Sequence, residues 1–446
     1  MLFECEHAQV YFEAFKRIER VISNFQEVVS YPVIINYQKL ITLKLADLLI
    51  SEPPKVVAGE HGSKEQMSVD TIIENTDLWN TAYESAIDLS RFGDGIFYVY
   101  KDGNKGVIDV SQPPMWFPVV DPKNIKRRLY EVLAWTFDVD YAKYLTVQIH
   151  EKGKYTERTY LLMGAPDGST GYRIHSQTVD DQTFTTGLDD FAVIQVPNVM
   201  TSDRVHGMDD YTDLDSIISE LLVRIAQIAR ILDKHASPSV SGPTTALERD
   251  PITTEWKLKM GNYFPRDGKD DPEVAYITWD GQLEANFKMI EQLVNFLHAV
   301  SEMGGQILGD TNQEGGALSG TALRFKMISP LAKAKRVSMR FKNALKKAIV
   351  LCSQLGGEGV IPLTKTPISI TFNDGLPNDP VEESTILMNR TANGKTMSIQ
   401  RALEVYDGMT PEDAENEVKR IQEEEQAMNP ISSLTTPFNG NNNPNE

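Results

Sequence analysis

Apolar positions change their spacing several times along the chain, and each change predicts an element boundary. Val10, Phe12, Phe15, Ile18, Val21, Ile22 and Phe25 recur at helical spacing. Pro32 opens a second helical stretch with Ile41, Leu45, Leu48 and Leu49 as its stripe, and Pro53-Pro54 ends it, because proline disfavours helix at the residue before it. Ile72, Ile73, Leu78, Trp79, Tyr83, Ile87 and Leu89 predict a third helix from about Ser68 to Arg91. Gly93-Asp94-Gly95 then marks a turn, and the pattern becomes strand-like. Predicted strands are 96–100, 106–110, 116–120, 130–137, 143–150, 155–163 and 191–196, rich in β-branched and aromatic residues. Such meandering strands after a helical region suit an α+β fold.

From about Asp210 the helical period returns. Leu214, Ile217, Ile218, Leu221, Leu222, Ile225, Ile228, Ile231 and Leu232 predict a helix ending near His235, stopped by Pro238. A compact, proline-punctuated insertion follows at 239–282. A second long helix begins near Leu283, with Phe287, Ile290, Leu293, Val294, Leu297, Val300 and Ile307 on its apolar face. After a glycine-rich segment (Gly304, Gly305, Gly309, Gly315, Gly316, Gly320), a third long helix is expected from about Ser319 to Leu355, kinked at Pro330. Residues 367–372 read as a strand. Short helices fit 381–392, 398–406 and 411–427, with Ser398 and Thr410 as N-caps and Pro411 at the first helical position. The tail from Asn429 has almost no apolar content and is expected to be disordered.

Length and charge narrow the function. The 446 residues suggest roughly three domains. Lys plus Arg number 44 against 63 Asp plus Glu, a formal net charge of −19. That balance excludes a polycation that coats nucleic acid, since such binding is driven by Lys and Arg neutralising phosphates. It leaves room for a channel or a single basic face. Cys5 and Cys352 lie far apart, with no zinc-type spacing, so a reducing compartment is expected. Met1 to His7 lacks the basic and apolar regions of a signal peptide, and no apolar run reaches about 18 residues, so the expectation is a soluble intracellular protein.

Motifs for covalent chemistry are absent. Gly394-Lys395-Thr396 ends like a phosphate-binding loop, but Asn389 stands where the first glycine belongs, and a turn between helices is the simpler reading. The seven histidines are scattered. His206, near Asp203, Asp209 and Asp210, comes nearest to a metal cluster, yet aspartates before a helix act as caps and dipole partners. Asp267 to Asp271 is acidic without the alternating ligands of a calcium loop. No cofactor is implied, and a non-enzymatic protein is expected.

The most distinctive charge feature is local. Between Gly315 and Gly357 stand Arg324, Lys326, Lys333, Lys335, Arg336, Arg340, Lys342, Lys346 and Lys347, with no Asp or Glu. Two readings stand side by side: a surface that meets phosphate or an acidic partner, or a helix held against the protein's own acidic segments, for example in a neighbouring subunit. The glycine-rich segment before it, with Asp310-Thr311-Asn312-Gln313-Glu314 at its centre, is either a loop that approaches a ligand or a passive linker.

Several segments, in order, resemble the portal proteins of tailed bacteriophages, particularly the siphovirus type. Asn36-Tyr-Gln-Lys-Leu-Ile to Ser51-Glu-Pro-Pro54 looks like that family's N-terminal helix and proline turn. His206-Gly-Met-Asp-Asp-Tyr-Thr-Asp-Leu-Asp215 running into Ile231-Leu-Asp-Lys-His-Ala-Ser-Pro238 looks like its first stem helix. Leu318-Ser-Gly-Thr-Ala-Leu-Arg-Phe-Lys326 is similar to the start of its long helix, and Ile370-Thr-Phe-Asn-Asp-Gly-Leu-Pro-Asn-Asp379 to its return strand and crown.

The resemblance implies a portal-like α+β layout: a helical N-terminal region, a β-rich wing at 1–208 with 355–380 returning to it, stem helices at 209–237 and 283–308, and a small α/β clip at 238–282. It further implies a tunnel loop at 309–318, a long kinked helix at 319–354, a helical crown at 381–428 and a disordered tail at 429–446. A ring, usually dodecameric, would sit at one capsid vertex and pass double-stranded DNA. Asp310, Thr311, Asn312, Gln313, Glu314, Gly315, Gly316, Ala317 and Leu318 would line the channel. Glu248, Arg249, Asp250, Trp256, Lys257 and Lys259 would dock terminase and the head-tail adaptor. Major capsid and scaffolding proteins would be further partners, with the virion as final location and host cytoplasm during assembly. A helical scaffold or adaptor without a DNA channel is the alternative.

Overall fold

The computed structural model describes residues 35–60, 62–164, 172–236, 239–241, 247–249, 256–258, 275–277, 283–308, 325–373, 380–393, 396–406, 409 and 411–428. The helix expected at 10–25, the tail and the tunnel loop lie outside the described residues. The described elements begin with α1 (Tyr37–Ile50), β1 (Lys55–Ala58), α2 (Lys64–Asn75), α3 (Leu78–Phe92), β2 (Asp94–Asp102), β3 (Lys105–Val110) and β4 (Trp116–Asp121). Then come β5 (Asn124–Val139), β6 (Ala142–Glu151), β7 (Lys154–Gly164), β8 (Tyr172–Thr185), β9 (Val193–Pro197) and α4 (Asp215–Ala236). Short strands β10 (Ser239–Ser241), β11 (Leu247–Arg249), β12 (Trp256–Leu258) and β13 (Ala275–Ile277) precede α5 (Leu283–Val300) and α6 (Gly305–Leu308). The chain continues through α7 (Ile328–Leu355), β14 (Ile368–Thr371), α8 (Pro380–Met388), α9 (Ile399–Tyr406) and α10 (Pro411–Met428).

Two compact units divide the chain. One takes residues up to Gly59, Ser63–Gly315 and Lys326–Gly375; the other takes the short stretches 60–62 and 316–325 with everything from Leu376. In the larger unit α7 is the spine. Its buried face, Ala334, Val337, Phe341, Leu345, Ala348, Ile349 and Cys352, meets α1, the β2–β3–β9 sheet and β14. Phe341 stands edge-on to Phe97 of β2, with ring centroids 5.7 Å apart, and to Phe372, 6.4 Å away. β1 pairs antiparallel with β14, so a segment before the sheets is tied to one after α7. Backbones approach closely at Gly106, where an added Cβ would lie 2.6 Å from the Cys352 carbonyl oxygen.

The β2–β3–β9 sheet is antiparallel with β2 in the middle, and β4 to β8 form a five-stranded antiparallel meander. Ile96, Trp116, Leu133 and Val193 form a small core joining the two sheets. β8 was not predicted from sequence, because it is exposed along its whole length and carries no apolar alternation. In the 238–282 insertion β10 pairs with β13 and β11 with β12, both antiparallel.

Two helix expectations need correction. The single helix expected from Ser68 to Arg91 is two, α2 and α3. Thr76 turns its hydroxyl back onto the Ile72 carbonyl (2.8 Å), and Asp77 takes a left-handed conformation (φ 46°), which ends one helix and redirects the chain. Ile307 does not lie on the long helix from Leu283: that helix stops at Val300, and Glu302, at φ 58°, breaks the path before α6. Phe325 and Lys326 are helical, Met327 is a turn and α7 starts afresh at Ile328, so the expected long helix is interrupted just ahead of Pro330. Pro330 falls in the first turn, where a backbone N–H has no partner within the helix, and Leu331 N bonds Met327 O at 2.9 Å.

In the smaller unit the Ser398 hydroxyl accepts from Arg401 N (3.1 Å), capping α9 as predicted. Ala402 and Ala414 are buried where α9 meets α10. The polar face of α10 carries Glu415–Lys419 and Glu417–Arg420 pairs. No described helix is long and apolar enough to cross a membrane.

His150 of β6 is fully buried, its ring stacked on Tyr155 and edge-on to Tyr98. Burial pushes its pKa down from the usual 6.5 to about 4. The unfolded chain therefore binds more protons between those values, and stability falls as pH drops through that window. In urea unfolding followed from pH 7 to pH 4.5, His150→Phe should flatten the loss relative to wild type, by on the order of 3 kcal/mol at the acid end. Phe341→Ala should cost about 3–5 kcal/mol at neutral pH by the same measurement.

Candidate functional site

Four of the cations on the acid-free helix α7 turn inward or sideways onto the chain's own acceptors. Lys333 is buried, with 5% of its side chain exposed, and its Nζ lies 2.9 Å from Asp210 Oδ1. The same Nζ donates to the Ser301 carbonyl at 2.9 Å, just past the end of α5. Asp210 is equally buried, in the segment leading into α4. It accepts from Asn198 Nδ2 (2.9 Å) and Ser90 Oγ (2.8 Å), and Ser90 continues through Thr42 to the Tyr211 hydroxyl. Arg336 pairs with Glu302, and Arg340 donates to the Asn198 carbonyl. Lys347 reaches Asp190 at 2.8 Å.

The remaining predicted cations do not join this network. Lys335 and Lys346 are exposed and Lys342 half-buried. Lys335 and Lys342 flank a hollow of about 440 Å³ floored by Leu48, Leu49, Ile370 and Phe372. Lys326 is exposed ahead of α7, and Arg324 lies outside the described residues. Of the clip residues, Glu248 pairs in register with Lys257 and Arg249 with Trp256 on β11 and β12, while Asp250 and Lys259 lie outside the described residues. All of Asp310 to Leu318 lies outside them too.

A larger feature was not singled out from sequence. An open cleft of about 980 Å³ runs between the start of β5, the β6–β7 turn, the approach to β9 and α7. Arg127, Arg128, Lys152, Arg340 and Lys347 line it, against Glu131, Glu151 and Asp190. Arg128 lies over the Trp116 ring, 5.2 Å from its centre, and bonds the Gln195 side chain and the Val205 carbonyl. Burial pushes the Glu131 carboxyl above its usual range, with Arg128 and the Trp116 N–H pulling the other way. Partial burial also pushes Asp190 upward, but hydrogen bonds from Lys347 and Lys152 outweigh it and hold that carboxyl below its usual range. The Arg127-Arg128 doublet was visible in the sequence; no spacing rule places it beside a helix more than two hundred residues later.

The acidic residues around His206 do not converge. His206 Nδ1 contacts Asp94 at 3.3 Å, Asp209 accepts from the Tyr211 and Thr212 amides, and Asp203 accepts from the Thr201 hydroxyl. No metal-sized group of ligands forms among the described residues. Asp94 is buried and takes two bonds from Gly207 N, at 3.0 and 3.1 Å. Gly207 crosses so near Gly93 that a Cβ on it would sit 2.0 Å from the Gly93 carbonyl oxygen. These aspartates fix the chain's path into α4. Burial pushes the Cys352 thiol up to about 12, which keeps it protonated and unreactive.

A family model described as phage portal protein, SPP1 Gp6-like, matches residues 200–430. No curated protein sequence matches the chain. Among solved structures, the chain is similar to one from the virion of a native gene transfer agent particle, at 12% identity and a TM-score of 0.46, covering 84% of this chain and 89% of that one. It is also similar to a chain from the neck of an empty gene transfer agent particle, at 10% identity and a TM-score of 0.45, with the same coverage of 84% and 89%.

Removing one partner of a buried ion pair strands the other charge. Lys333→Met or Asp210→Asn should therefore each lower stability by about 3–5 kcal/mol in urea unfolding. The double variant should lose less than the sum of the two, because no uncompensated charge remains.

Proposed function

Because the chain belongs to the SPP1 Gp6-like phage portal protein family, we propose that its copies form a ring, a dodecamer by family expectation, at one capsid vertex. Double-stranded DNA enters and leaves through the ring's channel. The observation that carries this reading is the extent of the family match, which runs from the segment entering α4 through α5 and α7 to α10. In this reading α4 and α5 are the stem helices. Residues 238–282 are the clip that docks terminase during packaging and head-tail adaptors afterwards. Residues 309–318 form the tunnel loop, and the larger unit's sheets form the wing. Major capsid and scaffolding proteins are further partners, and the protein ends in the virion after assembly in the host cytoplasm.

The work is mechanical and electrostatic, with no catalytic step. A lining rich in Lys and Arg would hold phosphates by releasing their counterions, and DNA would stick. A net charge of −19 favours passage over capture. The α7 cations support the same view, since Lys333, Arg336, Arg340 and Lys347 are engaged with the chain's own acceptors.

Negative-stain microscopy of purified protein should show rings with a central hole; compact particles without a hole would favour the helical adaptor instead. Deleting two or three residues within Asp310 to Leu318 should leave rings intact and impair DNA packaging, read as DNA protected in particles. Packaging at wild-type efficiency would remove the loop from the channel. Joint reversal of Lys335, Arg336 and Arg340 to glutamate should reduce ring assembly more than packaging per ring. Intact rings that fail only in translocation would place those side chains on DNA.

A further inference from the structure

The cleft between the five-stranded sheet and α7 has a chemistry that the portal reading does not use. We infer that it is a docking site for an acidic polypeptide segment. Its cations come from β5, the β6–β7 turn and α7, elements far apart in sequence, yet they converge on one opening of about 980 Å³. Five cations outnumber three carboxylates there, in a chain whose net charge is −19.

Two of these cations, Arg127 and Lys152, are mostly exposed. Arg127 is 69% exposed and holds only a 3.5 Å contact to Asp121. Lys152 is 62% exposed, pairs with Asp190 at 3.0 Å and lies 5.5 Å from the centre of the Phe191 ring. Arg128 keeps its Nη1 buried with no hydrogen-bond partner among the described residues, although its other nitrogens are engaged. A carboxylate entering the cleft would take charge-assisted bonds from Arg127 and Lys152.

The lining selects peptide over nucleic acid. Glu151 and Asp190 would repel a continuous run of phosphates, whereas a peptide can set its carboxylates against the arginines and its amides against the acids. Leu129 and Tyr130 line the same cleft and are exposed, offering apolar contact that a phosphodiester backbone cannot use. The cleft lies wholly within the larger unit, so the inference does not depend on ring formation.

The test uses the full-length protein and fluorescence anisotropy with three labelled probes: a short peptide of repeated Glu-Leu-Glu-Ala units, the same peptide with glutamine for glutamate, and a short DNA duplex. The acidic peptide should bind saturably, and the glutamine peptide at least about tenfold more weakly. Arg127→Glu/Lys152→Glu should weaken binding of the acidic peptide by about tenfold or more. Arg127→Gln/Lys152→Gln, a milder change at the same two exposed positions, should weaken it less, which separates lost attraction from misfolding. No saturable binding of the acidic peptide, or equal binding by wild type and both variants, overturns the inference. Duplex binding that both variants abolish, with the peptide excluded, overturns it in favour of nucleic acid.

Discussion

A lysine ammonium cannot be taken out of water without a counter-charge, and Lys333 is almost wholly out of water. Its carboxylate is Asp210, and its second acceptor is the carbonyl of Ser301. These three residues belong to α7, the entry to α4 and the exit from α5. One buried cation thus fixes the roots of two long helices onto a third. Asp210 extends the tie through Ser90 and Thr42 to α3 and α1, and through Asn198 to the end of β9. Desolvation makes this junction demanding: its groups must meet in one geometry or leave a charge stranded.

The junction also explains how an acid-free, cationic helix can be the spine of an acidic chain. The α7 face toward the sheets is apolar, centred on Phe341. Cations at its margins reach over to Asp210, Glu302 and Asp190 rather than outward. Two glycine crossings keep the surrounding backbone close enough for this. Gly106 lets β3 lie against the C-terminal end of α7, and Gly93 with Gly207 lets the segment before α4 pass beneath β2. A side chain at either crossing would push apart the elements whose polar groups must meet.

Function in this family reading comes from what the positive charge is not free to do. The chain's own acceptors engage four α7 cations, while the cleft that Arg127, Arg128, Lys152, Arg340 and Lys347 line is mixed with carboxylates and edged by apolar side chains. Passage of a polyanion and docking of an acidic peptide call for different surfaces. The cleft has the character of the second.

Much of the secondary structure was legible in the sequence because it rests on local rules. Runs rich in β-branched and aromatic residues marked seven strands, 367–372 marked an eighth, and apolar spacing marked α1, α4, α5 and α7. Proline and serine marked the starts of α10 and α9. The misses have local causes of another kind: β8 is exposed throughout and has no alternation to read, and Thr76 and Asp77 break a helix that the apolar pattern alone would continue. The sequence by itself also determined that nine cations cluster without a single acid between Gly315 and Gly357. Only the tertiary structure decided where they go. Charge pairing depends on distance in space, and the carboxylate partners of Lys333, Arg336 and Lys347 lie from 34 to 157 residues away along the chain. No periodicity carries that information; it exists once packing has brought α3, α4, α5 and the sheets around α7.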